Sequence, residues 1–307
     1  MNDEVLAAID CGTNSTRLLI ETADGVVLVR EMRITRMGQG VDATGALADE
    51  AIERTLGVLA EYRQLMDAAG VSRGRLAATS AARDASNGPE FLAAASAITG
   101  IEAEILSGIE EAELSFTGAM VGLDPAEGDD VVLDIGGGST EIVLVRSGVM
   151  SAHSMQVGCV RVSERTLHDD PPTSEQCGDA RVMADEAIDG AVGIIAGLTN
   201  LAPGSRLVGL AGTVATLSMM EAGIDDYDRD RVHHQWLSTE VVRGWCDTLA
   251  AEPASARRAR PGMVEGRQDV IVGGLIVLVA VLERLGLDGL VTSESDILDG
   301  LVASQRC

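Results

Sequence analysis

The stretch LDIGGGSTEIVL at residues 133–144 decides the fold, because a second copy of its pattern, IDCGTNSTRLLI, stands at residues 9–20. Aligned without a gap, the two stretches share Asp, Gly, Ser and Thr at four positions, and every flanking apolar position is apolar in both. Each reads as a short strand ending in a carboxylate, a tight turn of small residues, and a second strand. A single Asp-x-Gly is most often only a β-turn, whereas two copies in the two halves predict a duplicated fold.

The turn in each copy has the chemistry of a phosphate site. Small residues expose several backbone N–H groups beside Ser and Thr hydroxyls, and such a nest binds phosphate oxygens. The carboxylates before the turns, Asp10 and Asp134, suit a hydrated Mg²⁺, which prefers one or two carboxylates plus waters and substrate oxygens. The glycines of the second copy do not form a dinucleotide fingerprint, because they lack the G-x-G-x-x-G spacing and lead into a strand.

A third glycine turn, GLAGT at residues 209–213, joins an apolar strand to the start of a predicted helix. A helix N-terminus offers backbone N–H groups to an anion, so Gly212 and Thr213 are further candidates for phosphate binding. Turns of this kind often only connect a strand to a helix. This turn is a candidate phosphate site because the duplicated pair of phosphate-type turns accompanies it.

Periodicity along the chain predicts the same order of elements in both halves. Each half begins with three consecutive strands linked by tight turns and then alternates helix and strand, which is typical of a mixed α/β sheet. The polar, turn-rich segment 122–130 (GLDPAEGDD) separates the halves. We therefore expect one domain over residues 1–124 and a second over residues 125–307.

The net charge restricts the class of partner. The formal charge is −25, and all 23 basic residues are Arg. Broad binding to nucleic acid or to an anionic membrane surface needs a basic face, so the composition argues against both. Arg placed locally still suits phosphate, because its planar guanidinium donates two parallel hydrogen bonds.

Cysteine spacing and the apolar runs indicate a cytoplasmic protein. The five cysteines are scattered, with no C-x₂₋₄-C pair, which argues against a zinc site and for reduced thiols. The N-terminus has no positively charged leader. The longest apolar run, residues 270–282, is shorter than the ~20 residues of a membrane span and predicts a buried helix.

Several segments together resemble the exopolyphosphatase/guanosine pentaphosphate phosphohydrolase family over essentially the whole chain. The two duplicated turns resemble its two phosphate motifs, and DIGGGSTE at residues 134–141 is the most specific match. Further matches are ATSAAR at 78–83, SGIEEA at 107–112, GCVR at 158–161, DPP at 170–172, AGT at 211–213 and VH at 232–233. The segment 296–300 reads DILDG and lacks the Arg that many members carry there.

The resemblance implies a fold and an activity. It implies the two-domain actin-like fold, which is ribonuclease H-like and shared with acetate kinase, sugar kinases and heat-shock chaperone ATPases, with a cleft between the domains. It also implies Mg²⁺-dependent removal of terminal phosphate from inorganic polyphosphate, or from guanosine pentaphosphate (pppGpp), by a homodimer. Longer members add a C-terminal helical domain, and we expect this chain to be the short two-domain form with a preference for short polyphosphate.

The resemblance also assigns roles to residues. Glu111 is expected to orient and deprotonate the attacking water, with the neighbouring Glu110 as the first alternative assignment and Glu113 as the second. Asp10, Asp134 and Glu141 are expected to hold Mg²⁺, Glu141 also to position water, and Arg83 to bind terminal phosphate. The remaining expected phosphate ligands are Asn14, Ser15, Gly136, Gly137, Gly138, Ser139, Gly212 and Thr213. The sequence leaves open whether Arg161, Arg257, Arg258, Arg260 and Arg267 touch substrate.

Two other classes of function compete with hydrolysis. A kinase of the same fold would need an adenosine pocket and an acceptor site, and the Glu-Glu-Ala segment at residues 110–112 favours water as the acceptor. A sensor that binds polyphosphate or pppGpp without turnover would not need the acidic set of Asp10, Glu111, Asp134 and Glu141. The choice between polyphosphate and pppGpp remains open at the level of sequence.

Overall fold

A computed structural model describes residues 4–306, and within it the chain forms two compact units. Unit 1 contains the described residues up to Gly118 together with those from Asp296 onward, and unit 2 is Ala119–Ser295. Each unit has its own sheet with helices packed on it, so the expected α/β class and the duplication are both confirmed.

The sheet of unit 1 has the strand order β3-β2-β1-β4-β5, with β1 antiparallel to β2 and parallel to β4. Its strands are β1 (Val5–Cys11), β2 (Ser15–Thr22), β3 (Val27–Ile34), β4 (Arg73–Ala78) and β5 (Ala103–Ile105). Its first helices are α1 (Val41–Thr44), α2 (Asp49–Ala69), α3 (Ser80–Asp84), α4 (Gly88–Thr99) and α5 (Gly108–Ala119, whose last residue belongs to unit 2).

The sheet of unit 2 has the order β10-β11-β9-β6-β7-β8, and β6 is antiparallel to β7 and parallel to β9. The strands are β6 (Asp130–Ile135), β7 (Thr140–Arg146), β8 (Val149–Met155), β9 (Arg206–Leu210), β10 (Trp236–Ser238) and β11 (Gly289–Thr292). The helices are α6 (Cys159–Thr166), α7 (Ser174–Ile194), α8 (Ala211–Ala222), α9 (Arg229–Val232), α10 (Thr239–Ala250), α11 (Ala254–Arg258) and α12 (Ile271–Leu285). The first four strands thus repeat the pairing of β1 to β4.

Capping residues that can be identified in the sequence fix the ends of two long helices. Thr173 and Gln176 form a capping box at the start of α7, a pattern that the residues 173–176 (TSEQ) already indicate. Gly70 ends α2 in the left-handed conformation, with φ of 69°. The apolar run before Leu285 is the buried helix α12, which packs in the core of unit 2. No helix within residues 4–306 is long and apolar enough to cross a bilayer.

The C-terminal segment differs from the expected division of the chain. Helix α13 (Ile297–Ala303) belongs to unit 1, not to a second domain that runs from residue 125 to residue 307. Its side chains Leu298, Leu301 and Val302 are buried in one cluster with Leu6 of β1 and Leu19 of β2. The face of the unit 1 sheet that α13 covers would otherwise expose these apolar residues to water, and burying them determines where the helix packs.

Two glycines allow α13 to approach α5 closely. A Cβ on Gly300 would lie 2.1 Å from the carbonyl oxygen of Leu114, and one on Gly118 would lie 1.8 Å from the carbonyl oxygen of Asp296. Both are below any normal contact distance, so the backbones of the two helices touch where a side chain would separate them. The crossing therefore depends on the absence of a Cβ at both positions.

We predict opposite effects for alanine at two helical glycines. Gly300→Ala should lower the free energy of unfolding by about 1–3 kcal/mol, because the added Cβ meets rigid backbone. The matched control is Gly57→Ala in α2, where nothing lies within 4 Å of the added Cβ. Gly57→Ala should raise the free energy of unfolding by about 0.5–1 kcal/mol, the ordinary gain for Gly to Ala inside a helix. Urea unfolding of both variants measures the difference, and a stabilised Gly300→Ala would contradict the packing of α13.

Candidate active site

The first turn of the duplicated pair is fixed by backbone hydrogen bonds. The Gly12 N–H donates to the Ser15 carbonyl at 3.0 Å, which closes the turn between β1 and β2. The carbonyl of Asn14 accepts from the N–H groups of Thr35 and Arg36 at 3.1 and 2.9 Å. The Asn14 side chain is buried, and its Nδ2 has no hydrogen-bond partner. The backbone thus holds the turn while an amide donor is left for another group.

The second turn has the same shape in unit 2. A Cβ on Gly136 would lie 3.0 Å from the Ser139 carbonyl oxygen, the same distance that separates a Cβ on Gly12 from the Ser15 oxygen. The carbonyl of Gly136 accepts from Cys159 N at 2.9 Å, and that of Gly137 accepts from the next two amides at 2.9 and 3.1 Å. The start of α6 therefore supports this turn.

The residue opposite each strand-end carboxylate distinguishes the two copies. Asp10 pairs across the strands with Arg17, whereas Asp134 pairs with Glu141 at the equivalent position. Arg17 donates from Nε and Nη2 to Asp10 Oδ2 at 3.0 and 2.7 Å, and its Nη1 forms an ion pair with Asp296. Burial raises the pKa of Asp10, and the Arg17 guanidinium opposes that rise.

The pair in unit 2 has the donor chemistry of a divalent-cation site. Asp134 and Glu141 are 7% and 1% exposed, and Glu141 Oε1 accepts from the Ser154 hydroxyl at 2.6 Å. Like charges placed opposite each other on neighbouring strands repel, and a cation relieves that repulsion. In unit 1, Asp10 Oδ1 is buried and has no hydrogen-bond partner, so one oxygen remains for a ligand. The carboxylate oxygens therefore fit Mg²⁺.

No larger acidic cluster accompanies these residues. Across residues 4–306, no group of three or more His, Cys, Asp or Glu side chains is gathered as a metal cage would require. Mg²⁺ commonly keeps several waters and needs only one or two carboxylates, which each unit by itself supplies.

The structure separates Glu110 from Glu111. Glu110 is exposed and caps α5: its Oε2 accepts from Ser107 N at 2.9 Å, and its own N–H donates to Ser107 Oγ at 3.2 Å. The hydrogen bond from the Ser107 N–H foremost, and one from the Ser107 side chain, lower the pKa of the Glu110 carboxyl. Glu111 is 8% exposed, and its Oε2 accepts from Arg83 Nη1 at 3.2 Å. Glu111 is therefore the buried, positioned carboxylate of the two.

Arg83, on the short helix α3, donates to two acceptors that lie outside that helix. Its Nη1 also donates to the Leu106 carbonyl at 2.8 Å, which fixes the guanidinium against the end of β5. Its Nη2 is buried and has no hydrogen-bond partner. The fixed guanidinium thus keeps one donor group available for an oxyanion.

The third turn is covered by Arg267, a buried arginine whose contact with substrate the sequence did not decide. A Cβ on Gly212 would lie 1.8 Å from Cζ of Arg267, so the guanidinium packs directly on the turn. Arg267 is only 7% exposed, and Thr213 beside it is 1% exposed. A side chain at position 212 would therefore push the Arg267 guanidinium away from the turn.

The other open arginines make local contacts. Arg257 pairs with Asp170 at 2.6 Å, Arg258 pairs with Glu265, and Arg260 pairs with Glu252. Arg161 donates from Nη1 to Gln156 Oε1 at 2.8 Å. These contacts occupy the cluster at residues 257–260 within unit 2 itself.

One residue of the site was missed in the sequence. Ser80, the first residue of α3, is 2% exposed, and its hydroxyl has no hydrogen-bond partner. The available signal was its spacing of three residues from Arg83, which places both on one face of a helix. The sequence did not predict α3, so that spacing had no helix to refer to.

Comparison with known proteins agrees with this geometry. The family model described as the Ppx/GppA phosphatase family matches residues 19–306. The chain is 42% identical to Exopolyphosphatase 2 of Mycobacterium tuberculosis, covering 97% of this chain and 98% of that protein. A crystal structure of an exopolyphosphatase-like protein has a TM-score of 0.92 at 36% identity, with 98% of each chain covered. The Aquifex aeolicus member has a TM-score of 0.80 at 30% identity, covering 98% of this chain and 97% of that one.

Duplicated α/β sheets with the same strand–turn–strand motif in each give the fold of the solved Ppx/GppA structures, and the similarity to Exopolyphosphatase 2 places the chain among phosphoanhydride hydrolases. The chain belongs to the Ppx/GppA phosphatase family. The family resemblance and the expected α/β class are thereby confirmed. The roles of individual residues remain predictions.

We predict that the Asp10–Arg17 contact contributes strongly to stability. Arg17→Met should lower the free energy of unfolding by about 3 kcal/mol, because it leaves two buried carboxylates, Asp10 and Asp296, without this cation. The control is Arg33→Met, whose ion pair with Glu31 joins side chains that are 47% and 36% exposed. Arg33→Met should change stability by less than about 1 kcal/mol. Equal small losses in urea unfolding would show that water screens the Arg17 contact.

Proposed function

We propose that this protein is an exopolyphosphatase that hydrolyses the terminal phosphate of inorganic polyphosphate in the presence of Mg²⁺, with Glu111 as the general base. The observation that carries the proposal is the buried Glu111 carboxylate, held 3.2 Å from Arg83 in the same unit as a phosphate-type turn. The name Exopolyphosphatase 2 of the relative at 42% identity supports polyphosphate as the substrate class.

The topology of unit 1 explains how these groups meet. Strands β1, β4 and β5 run parallel in neighbouring positions, so their carboxyl ends share one edge of the sheet. The turn at residues 12–14 follows β1, α3 with Arg83 follows β4, and α5 with Glu111 follows β5. Ligands of open α/β sheets bind at this edge, where the loops converge.

The proposed reaction needs positioning more than covalent chemistry. Water attacks the terminal phosphorus, its proton passes to the Glu111 carboxylate, and the bridging P–O bond breaks. Orthophosphate leaves together with a chain that is one phosphate shorter. Arg83 binds the terminal phosphate and keeps Glu111 in place. Side-chain and backbone donors bind oxygens of the substrate, and they belong to Asn14, Ser15, Gly136, Gly137, Gly138, Ser139, Gly212 and Thr213.

The metal in this proposal is held by carboxylates. In unit 2 the proposed ligands are Asp134 and Glu141, of which Glu141 also positions water. In unit 1 the proposed ligand is Asp10. Bound Mg²⁺ would supply charge neutralisation at the phosphate oxygens. The proposal predicts that activity is lost on chelation and restored by added Mg²⁺.

The proposed setting is a cytoplasmic homodimer. Among the described residues, Cys11, Cys159, Cys177 and Cys246 form no disulfide, and burial raises the pKa of the Cys246 thiol to about 12. Buried, protonated thiols suit a reducing compartment. The dimer comes from the family resemblance, and size-exclusion chromatography with light scattering would test it.

We predict that the two neighbouring glutamates behave differently. Phosphate release from short polyphosphate, long polyphosphate, pppGpp and ATP should be measured with Mg²⁺ for wild type, Glu111→Gln and Glu110→Gln. Glu111→Gln should lose ~10²-fold or more in kcat, as expected for removal of a general base. Glu110→Gln should keep its kcat, because that side chain only caps α5.

Other outcomes of this panel contradict the proposal in different ways. Preferential turnover of pppGpp would make the protein a pppGpp 5′-phosphohydrolase with the same site. Binding of polyphosphate or pppGpp with no turnover would make it a sensor. An equal loss in both Gln variants would remove the assignment of Glu111 as the base.

We predict a preference for short chains that depends on salt. The net charge of −25 repels a long polyanion outside the site, and ions screen that repulsion over about 10 Å at 0.1 M. At equal concentration of chain ends, kcat/KM should be higher for short than for long polyphosphate. Raising ionic strength should narrow the difference. Faster turnover of long chains at low salt would contradict the proposed preference.

A further inference from the structure

Three buried donors in unit 1 have no hydrogen-bond partner. Within residues 4–118 and 296–306, the buried side-chain donors of this kind are Asn14 Nδ2, Ser80 Oγ and Arg83 Nη2. We call them the three-donor cluster. A buried donor that stays unpaired destabilises the protein, so such groups are rare and need an explanation. A ligand that supplies acceptors explains all three together.

The backbone brings the elements of the cluster side by side. Cys11 at the end of β1 is in register with Ala78 at the end of the parallel strand β4. Just beyond these residues, the Thr79 N–H donates to the Cys11 carbonyl at 3.4 Å. Asn14 follows the first strand by three residues, and Ser80 follows the second by two. Both therefore emerge at the same edge of the sheet.

A glycine contact holds the turn and α3 together. A Cβ on Gly38 would lie 2.3 Å from Thr13 Cγ2 and 2.9 Å from Ala81 Cβ, so residues next to Asn14 and next to Ser80 meet at Gly38. Ser80 and Arg83 are three residues apart on α3, which places them on one face. Arg83 in turn contacts Glu111. The cluster thus lies next to the proposed base.

The chemistry of the cluster suits a phosphoryl group. A hydroxyl, an amide and a guanidinium can each donate to one oxygen, and a transferring phosphoryl group carries three equatorial oxygens. Donors placed at these oxygens stabilise charge where it is present in the transition state. The positive guanidinium attracts an anionic ligand and repels a cationic one.

We propose that Ser80 is a substrate-binding residue whose hydroxyl donates to an oxygen of the terminal phosphoryl group, completing the site formed with Asn14 and Arg83. This inference rests on the proposed function, to which it adds a residue that the motifs did not assign. The proposed role is distinct from a structural one, because the Ser80 hydroxyl makes no hydrogen bond within the protein when substrate is absent.

The test is a crossed comparison of two serines in unit 1. Ser96 is the control, because its Oγ donates to the Leu92 carbonyl and accepts from Ala103 N, both at 2.9 Å. Ser80→Ala should leave the thermal unfolding midpoint unchanged or raised, and should weaken binding of inorganic phosphate roughly 10- to 100-fold, as for loss of a hydrogen bond to a charged group. Ser96→Ala should lower the midpoint and leave phosphate binding unchanged.

Two measurements separate this inference from the proposed function. Calorimetric titration with inorganic phosphate needs no turnover, and kcat/KM on short polyphosphate needs it. If wild type turns over polyphosphate and Ser80→Ala binds phosphate as tightly as wild type, the inference is wrong and the proposed function stands. If nothing turns over but Ser80→Ala still weakens phosphate binding, the phosphate contact stands and the proposed function fails. A lowered midpoint with unchanged phosphate binding would give Ser80 a structural role.

Discussion

The two candidate sites depend on one constraint, the tight turn that joins two antiparallel strands, β1 to β2 in unit 1 and β6 to β7 in unit 2. Three residues separate β1 from β2, and the Gly12–Ser15 hydrogen bond closes the turn, so residue 17 must lie opposite residue 10. The same geometry in unit 2 puts residue 141 opposite residue 134. The register of each strand pair thus sets which charged side chain lies opposite the buried carboxylate. In one copy it is an arginine, and in the other it is a second carboxylate.

The two strand-end carboxylates therefore have different surroundings: a cation beside Asp10 and a second carboxylate beside Asp134. Asp10 already shares one oxygen with a guanidinium that also reaches Asp296, the N-cap of α13, so the first turn is tied to the C-terminal helix. A second strand-to-helix pair, Arg30 with Asp299 at 2.7 Å, reinforces that attachment. Asp134 and Glu141 face each other as like charges, and a divalent cation is the natural counter-charge. The two copies of the motif therefore differ in one charge: an arginine faces the strand-end carboxylate of unit 1, and a second carboxylate faces that of unit 2.

The sequence predicts what is local. The duplicated motif, the capping box at Thr173 and the buried helix α12 depend on residues close in the chain, and the structure confirms each. The return of residues 296–306 to unit 1 depends on contacts with β1 and β2, nearly 300 residues away, and no local pattern encodes it. The burial of Glu111 and the exposure of Glu110 could not be assigned from spacing, because adjacent residues on one helix look alike until its packing is known. Ser80 and α3 were missed because five helical residues leave too short a pattern.

The central claim is that the site delivers water to the terminal phosphorus of a polyphosphate chain, and isotope transfer from solvent tests it most directly. Wild-type protein with Mg²⁺ and polyphosphate of defined length would be incubated in ¹⁸O-water, and the released phosphate and remaining chains analysed by mass spectrometry over time. The account predicts one solvent oxygen in each orthophosphate and chains that shorten by one phosphate per turnover. Cleavage into internal fragments, or phosphate that carries no solvent oxygen, would contradict it.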